Sequence, residues 1–189
     1  MDKEASGFNT KQTVAIVGLG LIGGSYARGL RRLGVDHIIA VDPDEKALQQ
    51  AKQEGMVDDI YTAGTEALKQ ADLVIFCTAA DVMIRFLAEN KAFFTPGTIL
   101  TDVAGIKGDT ATAIAALLPE GVDFVPGHPM AGREGRGYGM ASADIFNGAN
   151  YILVPMEGND EDHILAVKNM ARALGCSHVV RVSPEGHDR

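Results

Sequence analysis

One histidine of this 189-residue chain lies in a setting that suits proton transfer. His128 stands in the run Gly127-His128-Pro129-Met130-Ala131-Gly132, and a proline biases the residue before it toward an extended backbone. An imidazole shares or exchanges a proton near neutral pH, and removal of a hydride from a hydroxyl-bearing carbon benefits from such a partner. On these residues alone, His128 is a candidate catalytic residue, and a structural loop histidine is the more frequent alternative; the further motifs below favour catalysis.

A glycine-rich segment predicts a binding site for a dinucleotide. The run Gly18-Leu19-Gly20-Leu21-Ile22-Gly23 follows an apolar stretch at 14–17 and opens a helical pattern, which is the setting that a G-x-G-x-x-G motif requires. Gly18 would permit a tight turn, Gly20 would let the backbone approach a pyrophosphate, and Gly23 would allow close helix packing. The free N–H groups at the start of the helix would face the phosphates. The predicted cofactor contacts here are Gly18, Gly20, Leu21, Ile22 and Gly23.

An aspartate further along the chain predicts which cofactor binds. Asp42 ends the second predicted strand, where a carboxylate accepts hydrogen bonds from both hydroxyls of a ribose. The same charge would repel a 2′-phosphate, and the following run Pro43-Asp44-Glu45 supplies no arginine to receive one. We predict NAD as the cofactor and NADP as the less favoured one. An ordinary strand-end aspartate beside a glycine turn is the alternative interpretation.

Two further strand ends are predicted to border the cofactor. Small residues at 78–80 end the fourth predicted strand, which suits the passage of ribose or nicotinamide over the sheet edge, so Thr78 and Ala79 are assigned to cofactor binding. A plain strand-to-helix turn capped by Asp81 is the alternative. Asp102 ends the fifth predicted strand and is assigned to cofactor binding as well, although aspartate is also a common structural choice there.

The elements that must position these residues follow an alternating pattern. Short apolar runs alternate with longer segments of helical spacing, which is typical of βαβ units on a parallel sheet. We predict an α/β fold with a doubly wound, mostly parallel sheet, a dinucleotide-binding domain of the Rossmann type. The predicted strands are 13–18, 37–42, 59–62, 73–78, 98–102, 124–126, 151–154 and 178–182; the predicted helices are 21–33, 44–54, 66–70, 82–91, 107–118 and 160–174.

Composition limits the function classes. A formal charge of -8 argues against a nucleic-acid partner, because phosphate contacts need clustered Lys and Arg. No apolar run approaches the roughly 18 residues of a membrane span, and the N-terminus lacks the pattern of a signal peptide. The two cysteines, Cys77 and Cys176, lie too far apart in sequence to indicate a metal site. We expect a cytoplasmic protein without a membrane or metal partner.

The chain length predicts one domain with short flanks. We expect a polar N-terminal tail at 1–12 and the dinucleotide-binding domain at 13–182. At 183–189 a serine, a proline and a glutamate stand in the order of a helix start, which predicts the beginning of a helix that leads into a second domain absent from this chain.

Three motifs together make the sequence resemble the prephenate and arogenate dehydrogenase family. They are a glycine fingerprint that continues into Gly23-Gly24-Ser25, a segment at 102–107 that matches the family's D-x-x-S-x-K, and the histidine run at 127–132 followed by Glu134. The resemblance spans 13–189, and the histidine run is its most specific part.

The resemblance implies NAD(P)-dependent oxidation of prephenate to 4-hydroxyphenylpyruvate with loss of carbon dioxide, or of arogenate to tyrosine. The histidine that matches His128 would hydrogen-bond the C4 hydroxyl of the substrate and help to withdraw its proton as hydride leaves C4. Glu134 corresponds to an acid at the entrance of the active site, and Arg133 is a second candidate for substrate binding, with a solvated loop cation as its alternative. The resemblance further implies a homodimer formed through a C-terminal helical domain.

One position departs from the family pattern. The family serine of D-x-x-S-x-K is Gly105 here, so its hydroxyl is absent and the substrate identity is more open than the fold. We expect Gly105→Ser to be tolerated and to raise activity modestly. The glycine-dense segment at 132–139 is either a lid over the substrate or a mobile surface connection.

Two other functions compete with this interpretation. The first is another dehydrogenase with the same fold, which the histidine run disfavours. The second is a non-catalytic module that binds NAD for regulation, which the missing serine and the absent second domain favour. Cofactor binding without turnover would distinguish that second function.

Overall fold

The central layer is a parallel sheet of six strands. The computed structural model describes residues 7–106 and 108–183. The strands of the sheet are β1 Thr13–Val17, β2 His37–Val41, β3 Asp59–Tyr61, β4 Leu73–Phe76, β5 Ile99–Asp102 and β6 Asp123–Val125. Their spatial order is β3-β2-β1-β4-β5-β6, and every neighbouring pair is parallel. This confirms the predicted doubly wound Rossmann-type fold.

Helices cover both faces of this sheet. They are α1 Leu21–Leu33, α2 Glu45–Gln53, α3 Ala80–Asn90, α4 Gly108–Leu117 and α5 Glu161–Leu174. Within the described residues, short 3-10 turns lie at Glu66–Gln70, Lys91–Phe93, Tyr138–Met140 and Ala143–Phe146.

Alternating side chains of the central strands supply two separate cores. In β1, Val14 and Ile16 pack with α1 and α5, whereas Ala15 and Val17 pack with α3 and α4. Because successive side chains of a strand point to opposite faces, a strand that is apolar at every position is buried on both sides. The uninterrupted apolar strands therefore explain why the sheet lies between two helical layers.

A second, smaller sheet follows the parallel one. Its strands are β7 Gly127–Met130, β8 Asn150–Leu153 and β9 His178–Arg181, with β7 antiparallel and β9 parallel to β8. The predicted strands leave out 127–130 and are corrected by β7, which contains the extended backbone expected at His128. Proline usually argues against a strand, but β7 is a terminal strand in the order of this sheet, where a missing N–H is tolerated.

The N-terminal segment is part of the domain. Phe8 is buried in the core, and the N–H of Asp36 donates to the carbonyl oxygen of Thr10 at 3.0 Å. The predicted tail at 1–12 is thus corrected for the part from Phe8 onward. Most of the helix start predicted at 183–189 lies outside the described residues, as does Lys107. None of the helices within the described ranges is long and apolar enough to cross a bilayer.

Candidate active site

The structure gives a different reason for glycine at each of the three motif positions. Gly18 has φ +96°, and a Cβ there would lie 2.7 Å from the carbonyl oxygen of Cys77. A Cβ on Gly23 would overlap the carbonyl oxygen of Gly18. Gly20 is the N-cap of α1, and a Cβ on it would meet open space. The fold therefore requires glycine at two positions, whereas at the third only an approaching ligand would require it.

Asp42 connects the glycine turn to the end of β2. Its Oδ2 accepts from the backbone N–H of Leu19 at 2.6 Å, and its Oδ1 accepts from that of Asp44 at 2.8 Å. An ionised carboxylate offers about four acceptor positions, so both oxygens retain capacity for ribose hydroxyls. The side chain thus shapes the turn and still presents a negative charge beside it.

A cavity of about 690 Å³ opens in front of these residues. The glycine turn and Asp42 line one side, Thr62–Gly64 and Thr78 line another, and α3 closes it with Arg85. Sequence reasoning missed Arg85, because a cation in the middle of a helix carries no local signal for a pocket. Ala79 is not part of the lining; it is the N-cap of α3 and makes no side-chain capping bond, so the predicted cap by Asp81 is wrong.

The continuation of the glycine motif packs against the glycine-dense segment. A Cβ on Gly24 would lie 2.7 Å from a ring carbon of Tyr138. The hydroxyl of Ser25 donates to the carbonyl oxygen of Leu21 at 2.7 Å and accepts from the N–H of Ser142 at 3.0 Å. Gly24 and Ser25 therefore hold the segment that follows the histidine strand against α1.

Tyr138 anchors the end of that segment. Its hydroxyl donates to Glu54 at 2.9 Å, and the guanidinium of Arg28 lies 5.0 Å from the centre of its ring. Residues 132–137, by contrast, are exposed. Anchoring at this end is compatible with a hinged lid, and the lid remains a prediction.

Asp102 lies in the interior with its oxygens directed at backbone groups. It is 1% exposed; Oδ1 accepts from the N–H of Gly127 at 3.0 Å, and Oδ2 accepts from those of Ala104 and Ile106 at 3.1 Å each. Burial raises the pKa of this carboxyl to about 6, although the three N–H donors oppose that rise. The geometry does not support the predicted direct contact with the cofactor.

Asp102→Asn is expected to flatten the pH dependence of stability between about pH 4 and pH 6. Over that interval the unfolded chain has released a proton that folded Asp102 retains, so the free energy of unfolding falls as pH rises, by on the order of 3 kcal/mol for one such group. Urea titrations across this range would measure the slope. Hydrogen bonds lower the pKa values of Glu54 and Asp58 in both proteins alike, so the difference between the two slopes isolates Asp102. Equal slopes in both proteins would contradict this prediction.

Gly105 adopts a conformation that few other residues take. Its φ is +65°, in the left-handed region. A side chain there is strained, and the expectation that serine would be tolerated is therefore corrected.

We now expect Gly105→Ser to lower the free energy of unfolding by about 1 to 2 kcal/mol without raising activity. Chemical denaturation would measure it. Ala104→Ser is the control, because it adds the same hydroxyl at a neighbouring exposed residue whose φ is not positive. Equal stability of the two variants would contradict the expectation.

His128 lies in β7, opposite Ile152 of β8, which in turn lies opposite Val180 of β9. These residues share one face of the small sheet with Met130, which is 53% exposed. His128 itself is half-buried. The histidine is therefore held by a strand whose outer face is partly apolar and open.

The histidine strand begins on the same edge as the glycine turn. β1, β4 and β5 are neighbours, and their carboxyl ends lead into Gly18, Cys77 and Asp102. Since Asp102 binds the N–H of Gly127, β7 begins beside the end of β5. The end of β5 lies two strand spacings, or roughly 10 Å, from the end of β1. The strand that carries His128 therefore starts at the carboxyl edge of the parallel sheet, and a catalytic role of the imidazole there stays a prediction.

Arg133 and Glu134 lie apart from this arrangement. Both are exposed, and neither forms an ion pair within the described ranges. Their roles in substrate binding remain predictions.

Comparison with known proteins gives consistent matches. The family model of the prephenate dehydrogenase nucleotide-binding domain matches residues 26–180. Prephenate dehydrogenase of Bacillus subtilis is 32% identical over 185 residues, which cover 94% of this chain and 48% of that protein. The chain thus spans about half the length of this relative.

Solved structures agree with the sequence matches. Prephenate dehydrogenase from A. aeolicus, in complex with hydroxyphenyl propionate and NAD+, superposes with a TM-score of 0.85 at 28% identity, over 94% of this chain and 62% of that one. Synechocystis arogenate dehydrogenase superposes with a TM-score of 0.85 at 29% identity, over the same shares of the two chains.

Proposed function

This chain belongs to the prephenate dehydrogenase family, and we propose that it is the cofactor-binding half of an NAD-dependent enzyme that converts prephenate to 4-hydroxyphenylpyruvate and carbon dioxide. The observation that carries this proposal is the shared edge: the glycine turn, Asp42 and the start of the histidine strand lie along the carboxyl edge that β2, β1, β4 and β5 form. Ligands of doubly wound sheets bind at this edge. Arogenate is the second candidate substrate, since Synechocystis arogenate dehydrogenase superposes equally well.

The residues present fit NAD. Open space at Gly20 leaves room for a pyrophosphate at the N-terminus of α1, whose first N–H groups, at Leu21 and Ile22, favour an anion. Asp42 would accept from the ribose hydroxyls at the mouth of the cavity. When bound, the nicotinamide supplies the hydride acceptor.

The protein's own groups have a simple chemical task in this proposal. His128 accepts a hydrogen bond from the C4 hydroxyl of the substrate and takes its proton while that oxygen becomes a carbonyl. Loss of carbon dioxide then makes the ring aromatic, which drives the reaction to completion. The exposed apolar face around His128 would contact the ring of the substrate or the remainder of the enzyme.

Two measurements test the proposal. A fluorescence titration of the 189-residue chain with NADH is expected to saturate between micromolar and millimolar concentration. The full-length protein is expected to reduce NAD with prephenate, and a parallel assay with arogenate decides between the substrates. Little activity is expected from the 189 residues alone, because the family resemblance assigns part of the substrate pocket to the other half.

A non-catalytic NAD-binding module is the alternative that these assays separate. Saturable NADH binding without turnover of either substrate by the full-length protein would establish it and overturn the enzyme proposal. The cytoplasmic location, the homodimer and the absence of a nucleic-acid partner stay predictions from the sequence.

Asp42→Asn is expected to weaken NAD binding by about 1 to 3 kcal/mol, because a charged hydrogen bond to the ribose is lost. Affinity for NADP relative to NAD should rise, since the repelling charge is removed while Arg85 stays in the same cavity. Titrations with both reduced cofactors measure the ratio.

Asp44→Asn is the matched control for this change. It removes a charge two residues away and keeps an oxygen for the N-cap of α2, which accepts from Lys46 and Ala47. The control should retain the selectivity of the original protein. Unchanged selectivity in Asp42→Asn would place the discriminating group elsewhere.

A further inference from the structure

We propose that Asp102 is a positioning residue for His128 and acts through the backbone of Gly127. The inference rests on the proposed function, because its effect on kcat is measured in the proposed reaction. Asp102 itself does not touch the outer face of the small sheet, because its side chain is buried at the end of β5.

The carboxylate of Asp102 contacts the histidine strand directly. Asp102 Oδ1 accepts from the N–H of Gly127 at 3.0 Å, one residue before His128. The carbonyl oxygen of Gly127 accepts from the N–H of Gly105 at 2.9 Å. Both backbone polar groups of Gly127 are thereby held, and the peptide that leads into His128 has a defined orientation.

The same carboxylate also holds the turn around Gly105. Oδ2 accepts from the N–H groups of Ala104 and Ile106, on either side of Gly105. Asp102 therefore fixes Gly127 twice, directly through its N–H and indirectly through the turn that binds its carbonyl oxygen. We call this closed set of hydrogen bonds, formed by Asp102, the turn 104–106 and Gly127, the Asp102 clamp.

Packing against Tyr151 also restricts the space around Gly127. A Cβ on Gly127 would lie 2.7 Å from the hydroxyl oxygen of Tyr151, which is fully buried in β8. Gly127 therefore has no room for a side chain beside Tyr151, and its N–H is bound by the carboxylate. Displacement of the start of β7 requires loss of at least one of these contacts.

The burial of a carboxylate at this point favours a specific role over simple packing. Transfer of an ionised carboxylate to the interior is costly unless hydrogen bonds compensate, and here three backbone donors from two segments do so. Burial, together with the charge of Asp102, raises the pKa of the Cys77 thiol and of the Tyr151 hydroxyl, so both groups stay neutral and supply no counter-charge. A neutral apolar side chain would fill the space but could not join the two segments.

The test compares Asp102→Asn with Thr101→Val in the full-length enzyme. Asparagine keeps the shape but points an NH2 group at backbone N–H donors, so the clamp is broken on one side. Thr101 is equally buried on the same strand, and its hydroxyl donates to Val125 at 2.7 Å without contacting Gly127. Thr101→Val is therefore expected to reduce stability while leaving kcat unchanged.

For Asp102→Asn we expect kcat to fall about tenfold or more, with the affinity for NADH within about twofold of the original. The pH profile of kcat should also change, since the histidine is no longer held in one orientation. If asparagine prevents folding, Asp102→Ser provides a smaller neutral replacement with the same expected result.

Amide hydrogen exchange on the 189-residue chain gives a readout that is independent of the reaction. Asp102→Asn should reduce protection at Gly105 and Gly127 and leave β1 and β4 protected, whereas Thr101→Val should leave Gly127 protected. If the full-length protein oxidises neither substrate, the proposed function fails, and exchange still decides whether the Asp102 clamp exists. The positioning role is overturned if Asp102→Asn keeps its kcat, if it loses NADH affinity instead, or if both variants lose kcat in proportion to stability.

Discussion

Replacement of His128 by asparagine is expected to lower kcat of the full-length enzyme by a factor of about 10² to 10⁴ while the affinity for NAD stays nearly unchanged. The imidazole shares its face of the small sheet with Ile152 and Val180 and does not line the cavity in front of the glycine turn and Asp42, so we expect cofactor affinity not to depend on it. The loss would therefore appear in the chemical step. Steady-state kinetics with prephenate and NAD, together with an NADH titration, would separate the two effects.

The activity of the original enzyme should also fall in acid, because a protonated imidazole no longer accepts from the substrate hydroxyl. In His128→Asn, the part of the pH dependence of kcat that comes from protonation of the histidine should be absent. A pH profile of kcat for both proteins measures it.

His178→Asn is the matched control for the histidine experiment. His178 lies opposite Asn150 in β9, on the same face of the same sheet, and is exposed. Its replacement should leave kcat and the pH profile intact. If His128→Asn instead keeps the kcat and pH profile of the original enzyme, the histidine is structural and the proposed mechanism is wrong.

Gly20→Ala is expected to weaken NADH binding at least tenfold, or about 1.4 kcal/mol, without lowering the unfolding temperature. Its φ of -89° lies outside the left-handed region, and the added Cβ meets no protein atom. The methyl group would occupy the space through which a pyrophosphate approaches the start of α1. Fluorescence titration and thermal unfolding of the 189-residue chain measure the two quantities.

Gly23→Ala provides the contrast. Its Cβ would overlap the carbonyl oxygen of Gly18, so both stability and binding should fall, with a cost of about 1 to 3 kcal/mol or more from overpacking. A loss of binding confined to Gly23→Ala, with none in Gly20→Ala, would show that the pyrophosphate does not approach at Gly20.

Local sequence signals were sufficient for the parallel sheet and the cofactor turn. The glycine spacing, the apolar strand before it and Asp42 lie within about thirty residues, and each acts through its own backbone conformation or that of a near neighbour. The φ of +96° at Gly18 and the absence of any protein atom near a Cβ on Gly20 agree with the roles predicted from the motif.

The strand at 127–130, the lining of the cavity and the contacts of the carboxylates depend on segments that are distant in the sequence. Whether 127–130 forms a strand depends on pairing with β8, and the location of Arg85 in the cofactor cavity depends on how α3 packs. Likewise, an aspartate at the end of a strand has the same local sequence whether it binds a ribose, as we propose for Asp42, or backbone N–H groups of a later strand, as Asp102 does. The sequence by itself determined the fold class, the family resemblance and the candidate histidine, because those depend on local pattern. Only the tertiary structure decided what each carboxylate contacts, because hydrogen-bond partners 25 residues apart are brought together by the sheet alone.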